Sequence, residues 1–108
     1  MSIRPAAAAL VAATLTFGFS APAIAADSPE TSCAYQAQVV AAIQQARRDR
    51  VKERDVPAAI AATNPTWPEN YNAAIPLITP WVYEKKMREV RRQDLGAAWK
   101  EVCLKGAS

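Results

Sequence analysis

Three groups of side chains in this sequence are of types that could do chemistry. The first is Trp67-Pro68-Glu69-Asn70-Tyr71-Asn72, two aromatics around a carboxylate and two amides. Trp67, Glu69 and Tyr71 could cradle a sugar ring, and Glu69 is the acid that a small envelope glycan hydrolase would use. Glycosidic cleavage takes two carboxylates at a defined gap, and no spacing sets Asp55, Glu30 or another acid opposite Glu69. Thr66 and Glu69 are also three apart, as in a capping box, so Glu69 has a purely structural use as well. The group reads as a ligand loop and not as a catalytic site.

The second group is the run from Arg47 to Asp55, where eight of nine residues are charged and only Val51 interrupts. Its cations are Arg47, Arg48, Arg50, Lys52 and Arg54. Mixed signs at helical spacing describe a solvated face, and cations suit the C-terminal end of a helix dipole. The sharper reading is an edge that binds anions or a partner. A second run, Glu84 to Arg92, holds five cations and two acids, with Glu84 and Arg88 ordered for an i to i+4 pair. Adjacent runs would gather ten cations against lipid A phosphates, a teichoic acid or an acidic envelope protein. No aromatic interleaves the first run, so nucleic acid is not expected as a partner.

The third group is Cys33 and Cys103, the two cysteines of the chain. Their spacing is not that of a redox pair, and they are expected to form one disulfide. The sequence contains no His. That removes the side chain that titrates near neutrality, the commonest metal ligand and the usual base for a Ser or Cys nucleophile. Catalytic residues, metal ligands and cofactors are accordingly assigned to none of these positions; a non-enzymatic protein is the leading expectation, with a small envelope glycan hydrolase using Glu69 as the alternative.

The redox assignment agrees with the beginning of the chain. Arg4 precedes an apolar run from Ala6 to Phe19, and Ala23-Ile24-Ala25 supplies the small residues that a signal peptidase requires. Residues 1–25 read as a cleaved export signal and residues 26–108 as a single helical domain. The destination is the periplasm or the medium. The apolar run is shorter than the ~20 residues that span a bilayer, and Cys33 lies too far from the cut for a lipid anchor. Past residue 25 the charge is twelve Lys and Arg against ten Asp and Glu, an ordinary balance for a small domain.

The elements that must position these groups read as helices, since no segment sustains the alternation of a strand. Ser28-Pro29-Glu30 starts the first helix with a capping hydroxyl, a ring that presets φ and a carboxylate at the positive dipole end. Its apolar stripe includes Tyr35, Val39, Val40, Ile43 and Ala46, and its end is expected near Arg54. A short helix runs from Val56 to about Thr63, a brief turn from Trp67 to Ala74, and Pro76 ends that turn. A longer helix starts at Pro80, stapled by Ile78 and Tyr83, and carries Tyr83, Met87 and Val90 inward. Leu95, Trp99, Val102 and Cys103 form the inner face of a last helix ending at Gly106. The expected fold is all-α: a compact bundle of four to five short helices, with one disulfide joining the first helix to the last.

Cys33, Ala46-Arg47-Arg48-Asp49, Val82-Tyr83, Trp99 and Cys103 together resemble a pattern in small secreted proteobacterial proteins that carry no assigned function. In size, compartment and single disulfide the chain is also similar to acid-stress chaperones of the HdeA type. The first likeness implies an exported helical protein and no particular activity; the second implies a stress-chaperone role. The export signal, the disulfide and the missing catalytic groups themselves point to a protein that binds an envelope partner as an inhibitor, an immunity protein or a stress chaperone.

Overall fold

A computed structural model describes residues 27–106, so the export signal read from residues 1–25 lies outside the described residues. Five α-helices and two short 3-10 segments make up this part, with no strand among the described residues. The longest helix, α1 (Pro29–Arg48), is capped by Ser28, whose Oγ accepts the Thr31 N–H at 3.1 Å. Its stripe of Val39, Val40, Ile43 and Ala46 is buried, and every other helix packs against it.

The first helix stops at Arg48, six residues before the expected end near Arg54. Arg50 adopts φ 61°, and the chain closes with Arg50 N–H to Arg47 O at 3.1 Å and Val51 N–H to Ala46 O at 3.0 Å. This is a Schellman ending with arginine where glycine is usual. A 3-10 turn at Glu53–Asp55 then leads into α2 (Val56–Ala61), which buries Val56 and Ile60 and ends two residues short of Thr63.

The capping box expected at Thr66 and Glu69 does not form. Glu69–Ala74 is a 3-10 helix entered from Pro68 with no side-chain cap. It runs directly into α3 (Ile75–Tyr83), so Pro76 opens a helix where it was expected to end one. Pro76 sits in the first turn, where the missing N–H has no intrahelical partner to lose. Pro80 is interior and removes one helical bond, to the carbonyl of Pro76, but both prolines are exposed and water can take that carbonyl. Ile78 is buried inside α3 and is no staple for Tyr83.

The expected continuous helix from Pro80 through Val90 is broken at residues 84–86, and α4 spans Met87–Arg92. Val90 is fully buried, Met87 only partly. Glu84 lies in the break and Arg88 beyond it, and the two make no ion pair; the salt bridge among the described residues is Lys105 to Glu101 at 3.2 Å. The last helix, α5 (Leu95–Gly106), buries Leu95 and half-buries Trp99, whereas Val102, expected to face inward, is 70% exposed.

The disulfide joins Cys33 to Cys103, as expected, and clamps the beginning of α1 to the end of α5. At the other end of this pair Gln44 on α1 accepts the Leu95 N–H. The two contacts make α5 antiparallel to α1. Tyr71, just before α3, packs on Tyr35, and Tyr83, at its end, reaches Val51, so α3 runs parallel to α1.

Candidate functional site

The two cationic runs meet where α1 ends. The Nε–H of Arg48 donates to Val90 O in α4 at 3.0 Å, and the Arg47 guanidinium lies 5.1 Å from the centre of the Tyr83 ring, just before the second run. Tyr83 in turn donates its hydroxyl to Val51 O at 2.6 Å. Burial pushes the Tyr83 phenol above its ordinary range, with the Arg47 charge pulling the other way. Arg47 Nε is buried without a hydrogen-bond partner among the described residues. Its stabilisation is the face of the tyrosine ring, so Arg47 is a packing residue more than a docking one.

Arg48 faces outward across a shallow cleft of about 410 Å³ that it shares with Gln45, Arg92, Gln93 and Asp94. The acid in this cleft is already engaged: Asp94 Oδ1 accepts the Ala97 N–H at 2.9 Å and caps α5. Beneath the cleft, Gln44 is 4% exposed and holds both strands of the chain that form its wall, donating to Val90 O and to Gln93 O at 2.6 Å each. The amides beneath are engaged, Gln44 with Val90 and Gln93 and Gln45 with Asp49, so the donors suited to phosphate, sulfate or carboxylate are the terminal guanidinium N–H groups of Arg48 and Arg92. Arg88 and Arg91 extend the exposed cationic surface along α4.

The remaining expected cations go elsewhere. The left-handed turn at Arg50 reverses the chain, and Lys52 and Arg54 flank Glu53 around a separate shallow depression. The five-cation edge of the sequence is thus divided: Arg47 packs, Arg48 joins α4, and Arg50, Lys52 and Arg54 remain solvated.

Trp67, Glu69 and Tyr71 are divided as well. Trp67 and Glu69 line an open cleft of about 570 Å³ between α2 and the start of α3, with Asn64 and Asn72. Trp67 is 9% exposed and donates its indole N–H to Asn72 Oδ1 at 2.7 Å, so little of its face is free for stacking. Glu69 is the acid that lines this cleft, and no second carboxylate stands across from it. Tyr71 turns toward the N-terminus, its ring 5.1 Å from that of Tyr35 and its hydroxyl donating to Asp27 at 2.6 Å. That hydrogen bond raises the Tyr71 pKa, against an opposing hydrogen bond from Ser32.

Sequence reasoning did not single out Gln44, Gln36 or Trp81. Gln36 accepts the Trp99 indole N–H at 3.0 Å beside the disulfide; Cys103 Sγ lies 3.7 Å from the same oxygen but carries no proton to donate. Trp81 meets Trp99 edge to face at 5.4 Å, with Lys85 Nζ 4.5 Å from its ring centre. The i to i+4 spacing of Trp81 and Lys85 was the available signal for that last contact. Among the described residues, no group of three or more His, Cys, Asp or Glu is placed to hold a metal, and no helix is long and apolar enough to cross a membrane. The chain matches no protein-family model, no curated protein and no solved structure.

Proposed function

We propose that this is a small exported, non-enzymatic protein that docks onto an anionic partner in the cell envelope through the surface formed by Arg48 and α4. The observation that carries this reading is the meeting of the two cationic runs. Residues 47–55 and 84–92 contain ten of the twelve Lys and Arg of residues 27–106, but five of their ten acids. Arg48 and Arg92 open onto one cleft whose lining holds one carboxylate, Asp94, the cap of α5, so cations exceed acids there. Export to the periplasm rests on the signal-like residues 1–25 and agrees with the disulfide. Kinship with small secreted proteobacterial helical proteins belongs to the same proposal.

Retention of the oxidised protein on immobilised polyphosphate, measured against salt, tests this reading. Wild-type protein is expected to bind and to elute as salt rises. Arg91→Glu with Arg92→Glu is expected to weaken binding about tenfold or more, because phosphate contacts release counterions. Equal retention of both proteins would refute the assignment of the α4 surface.

A further inference from the structure

We infer that the protein carries an amphipathic face for the surface of an anionic lipid bilayer, built from Leu77, Trp81, Trp99 and Val102 and bordered by Lys85. The inference rests on the reading above and names the class of partner. Leu77 is 80% exposed and Val102 70% exposed, the two most exposed large apolar side chains among the described residues. Each stands about one turn from a tryptophan: Leu77 four before Trp81 on α3, Val102 three after Trp99 on α5. The indoles touch edge to face, which links the two helices.

Helix direction arranges the group. Since α3 runs parallel to α1 and α5 antiparallel, Leu77 and Val102 lie on the same side of the tryptophan pair. Lys85 lies on the other side, four residues beyond Trp81, and holds its ammonium over that ring. The order across the face is therefore aliphatic, indole, cation. A bilayer surface presents the matching order of acyl chain, glycerol region and phosphate.

Two further observations favour lipid over an acidic protein or a soluble polymer. Trp67 and Trp99 spend their indole N–H groups on Asn72 and Gln36, but Trp81 Nε1 donates to no other described residue and is open to a headgroup oxygen. The cationic run continues from Lys85 through Lys86, Arg88 and Arg91 to Arg92 at the cleft, so the apolar face adjoins a row of phosphate partners. Within that run the five cations exceed the acids, Glu84 and Glu89, by three.

Binding of the oxidised protein to phosphatidylglycerol vesicles, to phosphatidylcholine vesicles and to polyphosphate in solution tests this assignment. It should sediment with the anionic vesicles and not the zwitterionic ones, and brominated acyl chains should quench its tryptophan emission. Leu77→Ser with Val102→Ser removes only exposed side chains; its melting curve should be unchanged and its vesicle affinity about tenfold lower or worse, with polyphosphate binding intact. Trp81→Phe, a second and milder variant, should lose most of the quenching. Vesicle binding that survives the serine variants unweakened overturns the inference and points to another part of the chain. Polyphosphate binding without vesicle binding also overturns it and leaves the anionic-partner reading standing. Binding to neither overturns both.

Discussion

Gln44 joins three segments through one amide. Both of its N–H bonds are given to carbonyls, of Val90 and Gln93, and its oxygen receives the Leu95 N–H at 3.3 Å. Replacing it with Leu fills the volume but strands those buried backbone groups, so Gln44→Leu should lower stability by about 3 kcal/mol, read as an earlier urea midpoint at unchanged slope. Gln36→Leu, where the partner is one half-buried indole, should cost about 1 kcal/mol in the same titration. The tyrosines set the alkaline limit. Tyr71 and Tyr83 both hold their protons to higher pH folded than unfolded, the first chiefly through Asp27 and the second chiefly through burial. Their contribution is complete below the unfolded pKa of about 10 and falls as pH rises above it. Stability measured from pH 9 to 11 should therefore decline, and Tyr71→Phe with Tyr83→Phe should flatten that decline even though the variant starts from a lower value. These residues were poorly legible in the sequence because each role depends on a partner 32 to 63 positions away. A lone Gln on a helix reads as solvated, and only the fold brings the Val90 and Gln93 carbonyls above it. The charged runs were legible as composition; their division at Arg50 was not.

The helices that were legible are those whose ends follow common capping rules. Ser28-Pro29-Glu30 begins α1 as the residues indicate, and Gly106 falls at the end of α5. The misplaced boundaries have local causes. Arg50 occupies the left-handed position of a Schellman ending with no glycine to announce it; Pro76 is accepted by α3 because it sits in the first turn, and Pro80 because the Pro76 carbonyl it leaves unpaired is at an exposed position. Thr79 reinforces that helix by donating its hydroxyl to Ile75 O at 2.6 Å. At Gly96 α5 lies close against α1: a Cβ there would stand 2.8 Å from Ala37 O. Alanine is ordinarily better than glycine in a helix by up to about 1 kcal/mol. At Gly96 the contact with main chain should reverse that sign, because α5 must move off α1. Gly96→Ala is expected to cost about 1 to 3 kcal/mol in a thermal melt, and Gly106→Ala, with open space around it, to leave the melt unchanged or slightly higher.

The molecule as a whole depends on its crosslink because its core is small. Among the described residues fourteen apolar ones are buried, one Leu and four Ile among them. Closing a loop of 70 residues restricts the unfolded chain by roughly 4 kcal/mol. Cys33→Ser with Cys103→Ser should lose about that much and lower the melting temperature by about 15 °C or more; a loss under 1 kcal/mol would mean that the α1–α5 packing suffices by itself. This dependence was readable from two cysteines and a short apolar inventory, as was the all-α class. What the sequence did not disclose was charge polarity in space. Outside the two cationic runs and the Asp94 that shares their cleft, residues 27–106 hold four acids and the two lysines Lys100 and Lys105, so one end is basic and the remainder weakly acidic. The crosslink also has a topological consequence. The Cα atoms of Cys33 and Cys103 are 5.7 Å apart, six residues after the first described residue and three before the last. The chain thus enters and leaves the fold at one place, remote from Arg48 and Arg92. A short linker between residues 27 and 106 could close residues 27–106 into a ring, opened instead at the exposed Ala62–Asn64 turn, and the same segment could be spliced into a loop of a host protein with its basic end projecting outward.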